Sequence, residues 1–236
     1  MGSSSKMNVA VTGVGGGVGQ SVIRALRLST APVRILGTDT DPWAVGLYQC
    51  DARELVPPVR EAEDYAAALR RAVERHEIQA LIPGTDTELL AIAALAPELS
   101  DLGCTAIVSI FASVNELRDG VPVKACPTLD SAILDFGRAV FEAFVQMGHT
   151  GPCNLQGRRT RDGIVLYELN PRFTGITAVR AAMGWNEVEA ALRLFLRGEP
   201  AESVAARLSY DVDTVCLRYI TEHFVERTAI EPSAGR

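Results

Sequence analysis

Lysine is nearly missing from this chain. Lys6 and Lys124 are the only two among 23 basic residues, the rest being arginine. Arginine meets most electrostatic needs, yet a site that requires the compact ammonium of lysine has almost no candidate. Runs of one charge are also missing. The net charge of -6 comes from 23 basic and 29 acidic residues scattered along the chain, so neither nucleic acid nor an anionic membrane surface is expected as a partner. No apolar stretch is long enough to cross a bilayer, and no signal-peptide pattern opens the sequence. Met1–Lys6 reads as an added leader, with Met7 the expected native start. The five cysteines (Cys50, Cys104, Cys126, Cys153, Cys216) are odd in number and never spaced as CxxC. That pattern argues against a disulfide framework or a zinc site, and a reducing cytoplasm is the expected compartment.

What remains is ordinary globular material. With 236 residues, 47% of them hydrophobic, the chain can build one large or two modest domains. Asn8–Thr12 is a short apolar run ending in the glycine-rich Gly13–Gly19. A helical pattern follows with Val22, Ile23, Leu26 and Leu28 on one side, and together these read as strand, glycine turn, helix. Val33–Thr38 is a second strand ending at Asp39, and Ala52–Val56 a third, closed by Pro57-Pro58. Asp64 is expected to cap a helix through Tyr65, Leu69 and Val73. Ala80–Pro83 reads as a buried strand, Asp86 as the N-cap of a helix through Leu89, Leu90 and Ile92, and Thr105–Ser109 as the closing strand. This alternation predicts a Rossmann-like, doubly wound parallel sheet over residues 7–110.

Beyond Ile110 the pattern changes to α+β with an antiparallel sheet. Phe111–Leu117 is read as a strand and Arg118-Asp119-Gly120 as a turn. Leu129–Met147 is an amphipathic helix whose Ile133, Phe136, Val140, Phe144 and Met147 are expected in a core. Strands over Asn154–Arg159 and Ile164–Asn170 precede helices from about Ile176 and Asn186. Thr214–Ile220 is a last strand, and the tail after Arg227 is frayed. A three-residue loop, Arg161-Asp162-Gly163, would place Gln156 opposite Glu168 and Asn154 opposite Asn170, with Val165, Tyr167 and Leu169 on the other face. A two-residue Asp-Gly turn would dissolve that cluster. A carboxylate beside amide oxygens on rigid strands suits magnesium, and Arg172 could offer a fork to a phosphate. The plain alternative is an edge hairpin with a solvated polar face.

Gly151-Pro-Cys-Asn-Leu-Gln156, followed by Tyr167-Glu-Leu-Asn-Pro-Arg-Phe173, closely resembles the C-terminal motif of the ATP-grasp superfamily. It is most similar to members related to the large subunit of carbamoyl phosphate synthetase. The resemblance implies that Gln156, Glu168 and Asn170 hold Mg2+ (Mn2+ being an alternative) against the ATP phosphates. It implies too that Arg172 contacts phosphate or an acyl-phosphate intermediate. Gly13–Gly19, Gly37–Asp41 and Pro83–Glu88 look like the domain that precedes the ATP-grasp fold, with 111–236 as the C-terminal ATP-grasp portion. Lys124, ahead of the long helix, is a candidate substrate or phosphate contact. The implied activity is ATP-dependent ligation of a small, amino-acid-like carboxylate to an amine, with a homodimer among the assemblies open to it.

The family's small lid, with its phosphate lysines and adenine hinge, has no counterpart between Ile110 and Phe111. An internal omission is the favoured explanation, and a degenerate, non-catalytic binding protein is the alternative. The glycine loop also admits an NAD(P)-dependent oxidoreductase, with Asp39 as the ribose-binding acid, although Val18 stands where the strict motif needs a third glycine. Gly15 and Gly16 are candidates for contact with a carboxylate substrate. Glu88, in the first turn of the helix that Asp86 opens, could meet a substrate ammonium, and for both Asp86 and Glu88 structural capping is favoured over substrate contact. His76, His149 and His223 are isolated and receive no catalytic part, while Trp43 and Trp185 are expected to be packing residues.

Overall fold

The computed structural model describes residues 6–102, 105–106, 113–118, 121–128, 130–148, 151–209, 213–218 and 221–230. Expectations for Ile107–Ala112, the Asp119-Gly120 turn, Leu129, His149, Tyr219-Ile220 and the tail after residue 230 lie outside these residues. The strands are β1 (Met7–Val11), β2 (Val33–Asp39), β3 (Ala52–Leu55), β4 (Ala80–Ile82) and β5 (Thr105–Ala106), with α1 (Gly17–Arg27), α2 (Ala62–His76) and α3 (Asp86–Asp101) between them. They form one parallel sheet in the order β3-β2-β1-β4-β5. Alternation along β1 builds two cores. Val9 and Val11 face α1, joined by Val22, Ile23 and Ile35, while Ala10 faces Leu36, Tyr65, Leu69 and Leu81 under α2 and α3.

Two capping expectations are corrected. The N-cap of α2 is Glu61, and Asp64 lies within the first turn. Thr85 precedes α3, and Asp86 makes no capping bond because its carboxylate is engaged elsewhere. Burial also falls short of two helical-wheel readings and one packing expectation. Leu28 is the exposed C-cap of α1, Leu90 is exposed on α3, and Trp43 is exposed rather than packed.

Strand order reverses between β1 and β4, so the crevice beyond their carboxyl ends is where such sheets take ligands. Close backbone approach fixes both rims. A Cβ on Gly84 would lie 2.0 Å from the Thr12 carbonyl oxygen, and Gly13 sits at φ +55. Gly84→Ala should therefore destabilise the protein by at least about 2 kcal/mol, read as a lower urea midpoint at unchanged slope.

The C-terminal part opens with β6 (Ser113–Arg118) and β7 (Val121–Pro127), an antiparallel pair that β10 (Cys216–Leu217) extends beside β7. Helix α4 (Ser131–Gln146) is N-capped by Asp130, which accepts a bond from the Ile133 amide. None of its residues is buried, so the expected core along Ile133, Phe136, Val140 and Phe144 is only half-formed, and Met147 is exposed. Strands β8 (Asn154–Thr160) and β9 (Gly163–Asn170) form a separate hairpin. Helices α5 (Thr177–Ala182), α6 (Glu187–Arg197) and α7 (Ala201–Ala205) follow, the last not expected from the sequence.

Helices α5 and α6 return to the N-terminal sheet. Phe173, Val188, Ala191 and Leu192 share the core of α1 and β1, so α1 lies between the sheet and the C-terminal helices. Polar contacts fix the docking. The Ala178 amide donates to Ser21 Oγ at 2.8 Å, Asn186 Nδ2 to the Ala25 carbonyl at 2.9 Å, and Thr30 Oγ1 to Glu189 at 2.6 Å. The segment Pro171–Gly175 is thereby held against the glycine loop, with the Gly17 carbonyl oxygen 3.9 Å from where a Gly175 Cβ would stand.

Candidate functional site

The hairpin reaches the expected pairing by a different route. Its turn holds two residues, Arg161 and Asp162, because Thr160 pairs with Gly163 and Arg158 with Val165. The register then shifts at Gln156/Gly157, leaving Tyr167 as the extra residue of a bulge. Beyond it Gln156 opposes Glu168 and Asn154 opposes Asn170. A short turn alone would have broken the cluster, and the bulge restores it. The same shift corrects the assignment of faces. Val165, opposite Arg158, stands on the Gln156 side, and Arg158, Thr160, Val165 and Tyr167 line one open concavity of about 510 Å³. Leu169, opposite Leu155, keeps the other face.

Glu168 is exposed and accepts a hydrogen bond from Asn170 Nδ2 at 2.9 Å. Asn170 is buried, and its Oδ1 lies 3.5 Å from Arg172 Nη2. The Arg172 side chain is only 12% exposed. Its Nη1 donates to the Phe173 carbonyl at 3.0 Å, Nη2 to Asp86 Oδ2 at 2.7 Å, and Nε to Asp86 Oδ1. Gln156, Glu168, Asn170 and Arg172 thus gather at the end of the hairpin, and Asp86 meets them from the rim of the parallel sheet. Pairing with the Arg172 guanidinium holds the Asp86 carboxyl below its ordinary value, against a smaller opposing effect of burial.

A depressed carboxyl stabilises the fold where it is ionised. The Asp86 contribution is complete above its unfolded value of about 3.8 and is lost as pH falls through the lower folded value. A carbon-detected NMR titration should place the Asp86 midpoint below 3.8, and Arg172→Gln should return it there. An unshifted wild-type midpoint would mean that the pair does not persist in solution.

Glu88 is not presented to a ligand. It is 7% exposed and accepts hydroxyl bonds from Thr12 at 2.8 Å, Thr85 at 2.7 Å and Tyr65 at 2.8 Å. Burial, and then the Glu88 charge, push the Tyr65 phenol well above its usual range, so Tyr65 remains a donor. Glu88 therefore locks the loop that carries Asp86. At the other rim the Asp39 carboxylate accepts from the Gly15 amide at 2.7 Å and from the Asp41 amide at 3.1 Å. It shapes the glycine loop, which leaves the ribose-binding assignment without its acid. Gly16 is the N-cap of α1 and bonds back to Gly13 at 3.0 Å, while Gly17 has open space before it. Lys124 lies on β7, opposite Glu116 and Leu217. The sequence did not indicate the Asp86–Arg172 pair, whose partners are 86 positions apart. The one available signal was that both stand at strand ends facing the same crevice.

Residues 9–107 match the family model described as the PylC-like N-terminal domain. No curated protein matches. Among solved structures, the chain is similar to the biotin carboxylase domain of a single-chain bacterial carboxylase, at 13% identity and TM-score 0.60. That match covers 87% of this chain and 71% of the other. A complete pyruvate carboxylase from Rhizobium etli matches at 11% identity and TM-score 0.56, over 90% of this chain and 29% of that one. A further R. etli pyruvate carboxylase, with the allosteric activator acetyl coenzyme A, gives 11% and 0.58, over 83% and 26%. The fold is similar to that of the biotin carboxylase domain. This chain spans less than a third of either pyruvate carboxylase, and at these identities the likeness concerns fold alone. Among the described residues, no helix is long and apolar enough to cross a membrane.

Proposed function

We propose that the chain is a ligase that joins a small carboxylate to an amine, using ATP and passing through an acyl phosphate. The observation that carries this reading is the gathering of Gln156, Glu168, Asn170 and Arg172 beside the switch point of the parallel sheet. The donors fit magnesium or manganese. Glu168 is an accessible carboxylate whose described hydrogen-bond partner is an amide, and two amide oxygens stand on the same strands. When bound, such an ion would neutralise the charge of the ATP phosphates. Gln156, Glu168 and Asn170 hold their oxygens on rigid strands, and Asn170 orients Glu168. Arg172 would offer its fork to the transferred phosphoryl group in place of Asp86. Lys124 is assigned to phosphate or substrate contact, and Gly15 and Gly16 to the substrate carboxylate. The division near Ile110–Phe111, and the ATP-grasp character of the part beyond it, belong to the same reading.

Calorimetric titration tests it. Magnesium-ATP should bind, Glu168→Ala should weaken that binding, and NADH should give no heat. With lysine so scarce the expected ATP affinity is low, and a tight complex would show that other groups replace the phosphate lysines. Binding of NADH without magnesium-ATP would favour the oxidoreductase reading instead.

A further inference from the structure

We propose that Asp86 is a built-in occupant of the anion seat on Arg172, standing where a ligand's oxyanion enters and setting which ligand can displace it. This inference rests on the reading of Arg172 as the phosphoryl-binding group. The guanidinium holds a carboxylate side-on, through Nε and Nη2. That is the two-pronged geometry by which an arginine holds a phosphate or a substrate carboxylate. The remaining Arg172 contacts, Phe173 O and Asn170 Oδ1, leave little donor capacity while Asp86 is in place.

The two partners are not equivalent. The Arg172 side chain is 12% exposed and tied to its own strand end, whereas that of Asp86 is 61% exposed. Arg172 is the fixed half, and Asp86 is the half that leaves. The Glu88 network holds the loop in register, so the released carboxylate stays nearby and keeps competing. A ligand whose oxyanion is no stronger than a carboxylate gains little at this seat. A phosphoryl group, with more charge and more acceptor oxygens, displaces Asp86. The apparent affinity for any anion is then reduced by the fraction of molecules in which Asp86 occupies the seat.

Inorganic phosphate is the probe, titrated into the whole chain by calorimetry and by following the Arg172 Nε–H resonance. Asp86→Asn should bind phosphate about 5–20-fold more tightly than wild type, as removal of an occupant requires. Adding Arg172→Gln should cancel that gain, which separates this seat from the N-terminus of α1. Asp86→Ala supplies a second variant, and circular dichroism checks the fold of each. Unchanged or weaker phosphate binding in folded Asp86→Asn and Asp86→Ala would overturn the inference, since Asp86 would then prop Arg172 rather than occupy its seat. The ligase reading fails by a different readout. If no acyl phosphate can be trapped while the phosphate gain persists, that reading falls and the internal occupant stands.

Discussion

Replacing Glu168 with alanine should lower acyl-phosphate formation by about 10²–10³-fold, the loss typical when one preorganised electrostatic group is removed from a reacting centre. Hydroxylamine trapping with magnesium-ATP and a panel of small carboxylates reads this directly. Glu168 is the one carboxylate among the four gathered side chains, and Gln156 and Asn170 offer only neutral oxygens. Glu168 is exposed and belongs to neither core, so the variant should keep its unfolding midpoint. Glu168→Gln, which retains shape and loses charge, should be impaired nearly as much. Undiminished trapping in the alanine variant would remove Glu168 from the site and the metal assignment with it.

The largest effect on stability is expected at Glu187. This carboxylate is buried with Arg180, at 2% and 4% side-chain exposure, and accepts from Arg180 Nη2 at 2.5 Å and from Thr177 Oγ1 at 2.8 Å. Arg180 also donates to Thr174 Oγ1 at 3.2 Å, so the cluster joins α5 and α6 to the residues just after Arg172. Glu187→Ala should cost about 3–5 kcal/mol in urea unfolding, because it leaves a guanidinium in the interior without its counter-charge. The double variant Glu187→Leu, Arg180→Met should recover most of the loss, since removing both charges also removes the desolvation they impose. A single-variant cost near zero would mean that water reaches Arg180 readily. Phosphate binding at Arg172 should fall along with stability in Glu187→Ala, because Thr177 loses its acceptor and the Arg180 guanidinium that donates to both Thr174 and Thr177 loses the carboxylate that positions it.

Much of the parallel sheet was legible because its signals are local. Val9 and Val11 alternate with Ala10, the glycines sit at a strand end, and Leu69 and Val73 repeat at helical spacing. The facing pairs Gln156–Glu168 and Asn154–Asn170 were expected from a three-residue hairpin loop, and the motif added Arg172. The turn was misread, and the correct facing pairs survive because a bulge at Tyr167 offsets the shorter loop. Bulges have no strong sequence signature, so periodicity could not have found it. Asp86 was misread for a related reason. An aspartate at a helix start is ordinarily a cap, and only a partner 86 positions away reveals another use. Long-range pairings of this kind, including Glu88 with Tyr65, depend on strand order and leave no local trace.

The return of α5 and α6 to α1 has a consequence for how the protein is made. Ser21 waits for Ala178, a partner 157 residues later, and Thr30 for Glu189, 159 residues later. On a ribosome adding about 5–20 residues per second, the parallel sheet is complete several seconds or more before that cover emerges. Throughout this interval the outer side of α1 is open to other chains, and a shortened product ending before Thr177 would keep it open permanently. The parallel sheet and α1 thus depend on the late helices for part of their shared core.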